Sequence, residues 1–320
     1  MNTIIDQYQR TFKTLRISLT NACNLGCVYC VRKEDDRQVV PVETDTLSLD
    51  NMLRTIAALN DLLPLETIRL TGGEPTLFKG LIPLVKNINA LGITNIKMTS
   101  NGYLLADMVE ALADAGLKEV NISLDAIDAE VFYKVSRRKN SERVLDAIDR
   151  CLQYGIDVKL NAVILKGVND CQILPLLKYA GEKNISVRFL ELMKMGYLFR
   201  HDFESYFYSE QAILNTIAKE YQFAKEIRID GATANYWNTK EGHRFGIIAN
   251  ESSPFCEDCN RLRLDSYGNV FGCLSENIPV PVFDALDSKE ELTQRLKVAL
   301  SHKQSFQFKG SELNMMAIGG

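Results

Sequence analysis

The sequence has 320 residues and a mass of 36.1 kDa, which is enough for one large α/β domain or two medium ones. Hydrophobic residues make up 46% and charged residues 24%, the composition of an ordinary globular protein. The formal charge of −4 at pH 7 provides no broad basic field, which argues against nucleic acid as a partner.

Short β-rich runs alternate with helical patterns in the first part of the chain. Ser48 is the expected cap of an amphipathic helix over 48–63, and Ser141 of another over 141–154. This alternation predicts a parallel sheet with right-handed crossovers, and six strands are too few for a closed eight-stranded barrel. We therefore expect a partial (β/α)6 barrel over 1–195, with a C-terminal region over 196–320 that closes its open side. The strands are predicted at 15–20, 68–71, 96–100, 120–125, 158–165 and 187–192.

Polar motifs follow most of these strands. In parallel barrels the loops at the carboxyl ends of the strands converge on one mouth, where active sites form. The sequence therefore predicts a functional site at this mouth. The motifs are the cysteine loop at 23–30, G-G-E-P at 72–75, T-S-N-G at 99–102, S-L-D at 123–125 and E-L-M at 191–193.

The eight cysteines point to metal-binding thiolates, because the N-terminus lacks a signal-peptide pattern and we expect a cytoplasmic protein. No apolar run approaches the roughly 18 residues of a membrane span, so we expect no membrane contact. Cys23, Cys27 and Cys30 form a set of three, one short of a closed zinc site. Zinc with a histidine is one interpretation, although none of the three histidines is nearby in sequence. The other is an iron–sulfur cluster with one iron open to a ligand.

A second set of three thiols lies near the C-terminus, at Cys256, Cys259 and Cys273. Spacing alone favours structural zinc, with His243 as a candidate fourth ligand, over a second cluster. Arg261 and Arg263 are two residues apart, so on a strand they would share one face. They could bind phosphate oxygens there, although spacing alone favours a solvent-exposed arginine pair. The remaining thiols, Cys151 and Cys171, are interpreted as structural.

The pattern C-x-x-x-C-x-x-C with Tyr29 before the last cysteine, followed by G-G-E-P, resembles the radical S-adenosylmethionine superfamily. The second cysteine set, N-R-L-R-L and the terminal G-G resemble its GTP 3′,8-cyclase family of molybdenum cofactor biosynthesis. The resemblance covers most of 12–275 and returns at M-M-A-I-G-G. It implies a lyase that converts GTP to (8S)-3′,8-cyclo-7,8-dihydroguanosine 5′-triphosphate, the first step of that pathway.

The resemblance also implies cofactors and residue roles. The cofactors are S-adenosylmethionine and two [4Fe–4S] clusters, one on each cysteine set, with the second cluster binding guanine. S-adenosylmethionine contacts are implied for Tyr29, Gly73, Ser123 and Met193. GTP contacts are implied for Arg16, Arg69, Thr99, Lys159, Arg261 and Arg263. Catalytic roles are implied for Arg16, Arg261, Arg263 and the tail residues Gly319 and Gly320, which would enter the barrel mouth.

The implied partners are an electron donor such as flavodoxin or ferredoxin and the next enzyme, cyclic pyranopterin monophosphate synthase; a homodimer is left open. The sequence departs from the family pattern at Asn21-Ala22, over 31–40 and after Cys273. Two alternatives therefore stay open. One is a radical enzyme that modifies a peptide or another substrate, and the other is a non-catalytic zinc protein.

Overall fold

The computed structural model describes residues 4–31, 46–199 and 202–319. The centre of the fold is a parallel sheet whose first six strands pair in chain order, as the sequence predicted. Apart from Val31, the family departure over 31–40 lies outside the described residues. The strands are β1 (Thr14–Ser18), β2 (Thr67–Thr71), β3 (Asn95–Ser100), β4 (Leu117–Ser123), β5 (Asp157–Ile164) and β6 (Ser186–Glu191).

Helices cover the outer face of this sheet. The side chain of Ser48 accepts a hydrogen bond from the Asn51 backbone N–H, which confirms its capping role. Ser141 directly precedes its helix as expected, but it has helical backbone angles and its side chain makes no cap bond. The helices of the described residues are α1 (Leu49–Leu62), α2 (Leu81–Ala90), α3 (Val109–Ala115), α4 (Ala129–Ser136), α5 (Glu142–Gln153), α6 (Ile173–Glu182), α7 (Phe203–Tyr206), α8 (Glu210–Ile217), α9 (Lys289–Ser301) and α10 (Met315–Ile318).

The C-terminal strands extend both edges of the central sheet. Within the described residues the sheet has 12 strands in the order β12-β11-β10-β1-β2-β3-β4-β5-β6-β9-β8-β7. Strand β10 pairs parallel with β1, and β9 pairs parallel with β6. The open partial barrel is thereby confirmed, while the domain division at residue 195 stays a prediction. The added strands are β7 (Phe223–Lys225), β8 (Asn235–Thr239), β9 (Arg244–Ile248), β10 (Arg261–Leu264), β11 (Asn269–Phe271) and β12 (Val280–Pro281).

The period-2 alternation of the strands separates an apolar outer layer from a polar barrel interior. On β2, Ile68 and Leu70 are fully buried in the main core, and Arg69 between them faces the interior. The same alternation directs polar side chains from neighbouring strands inward. No helix among the described residues is long and apolar enough to cross a membrane.

Candidate active site

A first cavity opens at the carboxyl ends of the central strands, where the sequence predicted a site. All three cysteines of the first set, Cys23, Cys27 and Cys30, line it. The residues implied to bind S-adenosylmethionine also line it; these are Tyr29, Gly73, Ser123 and Met193. The structure therefore brings the predicted first set together, while the residue roles stay predictions.

The cysteine loop is held by backbone hydrogen bonds. The amides of Gly26 and Val28 donate to carbonyls at the end of α4, at 3.0 and 2.9 Å. The Cys30 amide donates to the Cys27 carbonyl at 2.8 Å, which turns the chain so that the thiols share the cavity. Burial raises the pKa of all three thiols, to about 11 for Cys23 and about 12 for Cys30. A positively charged metal centre would offset this cost, since metals bind the thiolate.

The G-G-E-P loop packs directly on the cysteine loop. The Gly73 amide donates to the Thr20 carbonyl at 2.6 Å, and a Cβ at Gly73 would lie 2.3 Å from the Ala22 carbonyl oxygen. Glycine is therefore required here by the approach of the two loops to each other. Glu74 also lines the cavity, and it is buried and accepts hydrogen bonds from Ser100 Oγ and the Asn101 amide, both at 2.7 Å. Sequence reasoning quoted this glutamate without assigning it to the site.

A second cavity adjoins the first. It is lined by the second cysteine set and by Arg16, Arg261 and Arg263. Five residues line both cavities, so the two share a wall; these are Thr99, Asn161, Leu190, Met193 and Met315. The structure thus places the two thiol sets in two adjoining cavities.

Lys303, on the chain after α9, lies against the second cysteine set. Its Nζ donates to Cys259 Sγ at 3.2 Å and to the Arg261 carbonyl at 2.8 Å. Burial opposes ionisation of Cys259, but Lys303 and Arg261 outweigh it and lower the pKa of this thiol to about 5. Sequence reasoning missed Lys303, which carries no local motif.

His243 is not part of this site. Its ring lies 5.7 Å from the Tyr221 ring and fills the space beside Gly181, and it does not line the second cavity. Within residues 4–31, 46–199 and 202–319, no three Cys, His, Asp or Glu side chains are placed to hold a single metal ion. The donor chemistry of each set, three free thiols facing one cavity, fits an iron–sulfur cluster.

The second cavity concentrates positive charge. Burial, together with Arg263 and Arg69, lowers the pKa of Arg16 well below its usual value. Arg188 on β6 also lines the cavity, and its Nε and Nη2 atoms are buried without a hydrogen-bond partner in the described part of the chain. Arg261 Nη2 is likewise buried without a hydrogen-bond partner among the described residues. Buried guanidinium donors left unpaired fit an anionic ligand, and the inward position of Arg188 on its strand is the signal that could have identified it.

Two of the implied GTP ligands do not line either cavity. Arg69 and Lys159 both contact Glu119, with Arg69 Nη2 at 2.7 Å from Oε1 and Lys159 Nζ at 2.5 Å from Oε2. Thr99, by contrast, lies in the wall between the cavities. The structure therefore divides the predicted GTP residues into a cavity group and a deeper group.

The C-terminal tail enters the barrel interior. Arg263 Nη1 donates to the carbonyls of Ile318, at 3.3 Å, and Gly319. Ser18 Oγ donates to the Met316 carbonyl at 3.2 Å, and Ile318 is 1% exposed. Gly320 lies outside the described residues. The position of Gly319 agrees with the predicted path of the tail, and its role in turnover stays a prediction.

The two remaining thiols differ. Cys151 is fully buried on the core side of α5, as a structural thiol should be. Cys171 is exposed, so the expectation that it serves as a buried apolar residue is wrong. The apolar residues after it, Ile173 and Leu176, form the buried face of α6 instead.

Comparison with known sequences assigns both parts of the chain to described families. Residues 17–180 match the Radical SAM superfamily, and residues 185–308 match the family described as Molybdenum Cofactor Synthesis C. Together the two matches span the first cysteine loop, the second cysteine set and the arginines of β10.

Two solved structures share the fold of this chain. The Streptococcus suis SuiB structure with its precursor peptide SuiA has a TM-score of 0.63 at 17% identity, covering 93% of this chain and 72% of that one. The anSMEcpe structure with bound AdoMet has a TM-score of 0.58 at 15% identity, covering 95% and 93%. At such identities the likeness concerns the fold alone.

The sequence relatives are much closer. The chain is 39% identical over 282 residues to the GTP 3′,8-cyclase of Staphylococcus carnosus, which covers 86% of this chain and 82% of the relative. It is 38% identical over 278 residues to the GTP 3′,8-cyclase of Staphylococcus aureus strain JH9, covering 85% and 81%. With both halves matched at this identity, the chain belongs to the GTP 3′,8-cyclase family of the radical S-adenosylmethionine superfamily.

Proposed function

We propose that this protein joins C3′ of the ribose to C8 of guanine in GTP, giving (8S)-3′,8-cyclo-7,8-dihydroguanosine 5′-triphosphate for molybdenum cofactor biosynthesis. One observation carries the proposal. The two thiol sets face adjoining cavities that share a wall, and arginines crowd the second cavity. A radical formed in the first cavity could therefore reach a nucleotide held in the second without crossing solvent.

The first cavity would hold a [4Fe–4S] cluster on Cys23, Cys27 and Cys30, with S-adenosylmethionine beside it. When bound, these groups supply a 5′-deoxyadenosyl radical, which removes hydrogen from the substrate. The protein's own task is positioning. The Tyr29 hydroxyl donates to Asp125 at 2.8 Å, which fixes the ring beside the cysteine loop, and buried Glu74 offers a carboxylate to the amino group of the methionine part.

The second cavity would hold another [4Fe–4S] cluster on Cys256, Cys259 and Cys273, with guanine on its open side. Lys303 would donate to one of its thiolates, as it donates to Cys259 Sγ here. Such a hydrogen bond withdraws charge from the sulfur and tunes the cluster. His243 lies elsewhere, against Tyr221, so a zinc site with this histidine receives no support.

Arginines of the second cavity would bind the phosphates. Arg16, Arg261 and Arg263 supply guanidinium forks that match phosphate oxygens, and Arg188 adds buried donors. Apolar side chains of the shared wall, Leu190 and Met315 among them, would exclude water from the reacting centre. We place residues 1–195 as the barrel domain and 196–320 as the region that supplies the second cluster site and the tail.

An electron donor such as flavodoxin or ferredoxin and the downstream cyclic pyranopterin monophosphate synthase complete the proposed context. The test is anaerobic reconstitution with iron and sulfide, then incubation with GTP, S-adenosylmethionine and dithionite. We expect 5′-deoxyadenosine and an isomer of GTP by mass analysis. Formation of 5′-deoxyadenosine with no GTP-derived product would refute GTP as the substrate but would still support the radical chemistry.

The number of clusters needs its own measurement. We expect two oxygen-sensitive clusters per chain, and Cys256→Ala should lose one cluster's share of iron while keeping the other. Stoichiometric zinc that disappears only in Cys256→Ala would refute the second cluster.

A further inference from the structure

A row of charged side chains crosses the barrel interior on five neighbouring strands. In the register of the sheet, Arg16 pairs with Arg263 on one side and with Arg69 on the other. Arg69 pairs in turn with Lys97, and Lys97 with Glu119. Four cations thus lie in one row and meet the buried carboxylate of Glu119, beyond which the exposed Asp157 follows in the register on β5. Neither Lys97 nor Glu119 has a role in the function described above.

Glu119 gathers three cations around its two oxygens. Oε1 lies 2.7 Å from Arg69 Nη2, and Oε2 lies 3.1 Å from Lys97 Nζ and 2.5 Å from Lys159 Nζ. The Glu119 side chain is only 7% exposed, whereas Lys97 and Lys159 are 24% and 29% exposed. The carboxylate is therefore the buried centre of the cluster, and the ammonium groups form its accessible rim.

The cluster keeps most of its positive charge and hydrogen-bonding capacity. Three cations against one anion leave two net positive charges. Burial opposes ionisation of Glu119, but Arg69 and Lys159 outweigh it and hold its pKa far below the usual range, so the carboxylate is charged at neutral pH. One guanidinium and two ammonium groups carry about eleven N–H donors. The described hydrogen bonds use four of them, three to Glu119 and one to the Met98 carbonyl.

The cluster lies deeper in the barrel than the shared wall of the two cavities. Lys97 precedes Thr99 by two residues on β3 and faces the same side, and Thr99 lines both cavities. At about 3.3 Å of rise per residue, Lys97 lies roughly 6.6 Å closer to the amino end of the strand. An extended phosphate chain bound by the cavity arginines would reach this depth with its terminal group.

We propose that Lys97 is a further phosphate-binding residue and Glu119 a positioning residue, which with Arg69 and Lys159 form a floor for the terminal phosphate of the substrate. The inference rests on the proposed function, which makes GTP the substrate. It goes further because it explains why the protein would bind a nucleoside triphosphate in preference to a monophosphate. GMP carries no terminal phosphate to reach the floor, so the floor should discriminate by phosphate number.

The first test replaces Lys97 by methionine, which keeps the length of the side chain and removes its charge. Binding of GTP, GMP and inorganic triphosphate is measured by anaerobic calorimetry on the reconstituted protein. A charge-assisted contact implies that GTP and triphosphate affinities fall about tenfold or more in Lys97→Met, with GMP affinity unchanged. The matched control is Lys13→Met, which removes an exposed lysine paired with Glu66, at 48% and 65% side-chain exposure.

The second test replaces Glu119 by glutamine and separates positioning from charge. By net charge alone, loss of an anion should tighten GTP binding. As a positioning residue, however, Glu119 holds three mutually repelling cations together, so Glu119→Gln should weaken GTP binding and raise KM while the iron content stays unchanged. Tighter GTP binding in Glu119→Gln would overturn the positioning role. If the variant fails to fold, Lys97→Met still decides the phosphate floor.

The outcomes distinguish this inference from the proposed function. Lys97-dependent binding of inorganic triphosphate in a protein that does not bind GTP would support the phosphate floor and overturn the proposal that GTP is the substrate. Equal losses for GTP and GMP in Lys97→Met, or no loss for either, would overturn the floor while leaving GTP as substrate. Binding of neither ligand by the wild-type protein would overturn both.

Discussion

Gly319→Ala tests whether the docked tail is needed for turnover. The backbone at Gly319 has φ +74°, and a Cβ there would lie 2.3 Å from Thr71 Oγ1 and 3.3 Å from the Ser18 Cβ. Positive φ in a residue with a side chain costs about 1–3 kcal/mol. The overlap with Thr71 adds to this, so the docking equilibrium should fall by roughly 30-fold or more for a cost of about 2 kcal/mol. Turnover should then fall at least about tenfold.

The assay separates the tail from the fold. GTP-derived product and 5′-deoxyadenosine are quantified anaerobically, beside iron content and melting temperature, which should stay near wild type. Gly155→Ala is the matched control, because Gly155 has φ +70° but a Cβ there would meet nothing within 4 Å. Wild-type turnover in Gly319→Ala would refute the reasoning, and so would loss of iron together with unfolding, since the tail would then be a folding element.

Three further predictions concern other parts of the chain. Cys27→Ala should abolish S-adenosylmethionine cleavage, whereas Cys259→Ala should mainly reduce GTP binding; equal loss of cleavage in both would contradict separate roles. Arg261→Ala and Arg263→Ala should each weaken GTP binding about tenfold or more with iron content unchanged, and unchanged affinity in both would contradict a phosphate role. Burial raises the pKa of Asp265 to about 6, above the usual value of about 3.9, so its contribution to stability should decrease as pH rises from about 4 to 6. The melting temperature of Asp265→Asn should therefore depend less on pH over that window than the melting temperature of the wild-type protein. An unchanged pH dependence would mean that other groups cause it.

The first half of the fold could be predicted because its signals are local. Each of the six strands is a short β-rich run, five of them are followed by a polar motif, and each observed strand starts within three residues of its predicted start. Strands β9 and β10, which flank the six central strands, were not predicted to join the same sheet. Strand β10 pairs with β1, which is far away in sequence, and β9 pairs with β6 across two intervening strands. These pairings are therefore decided by tertiary contacts.

The candidate site was predictable only in part for the same reason. Cysteine spacing and G-G-E-P identified the first cavity, because the thiols and the loop are each contiguous in sequence. Glu119 and Lys97 carry a weak signal, since each precedes a site-facing residue on its strand by two positions. Their contact depends on the register between β3 and β4, where the pairing shifts between Ile96 and Lys97. Sequence alone does not reveal such a shift.

The charge of the barrel interior has a consequence for stability as well as for binding. A chain with a net charge of −4 buries Arg16 beside four other arginines, and burial and these neighbours lower its pKa. A cation crowded by like charges destabilises the ligand-free fold, and an anion that binds only the folded state restores stability. Arg16→Met should therefore raise the melting temperature of the ligand-free protein and reduce the upward shift that GTP produces. At 100 times Kd, GTP stabilises a protein by about 2.7 kcal/mol, which calorimetry resolves. A lower melting temperature in ligand-free Arg16→Met would mean that the guanidinium stabilises the barrel through contacts of its own. The positive charge of the cavity would then not destabilise the ligand-free protein.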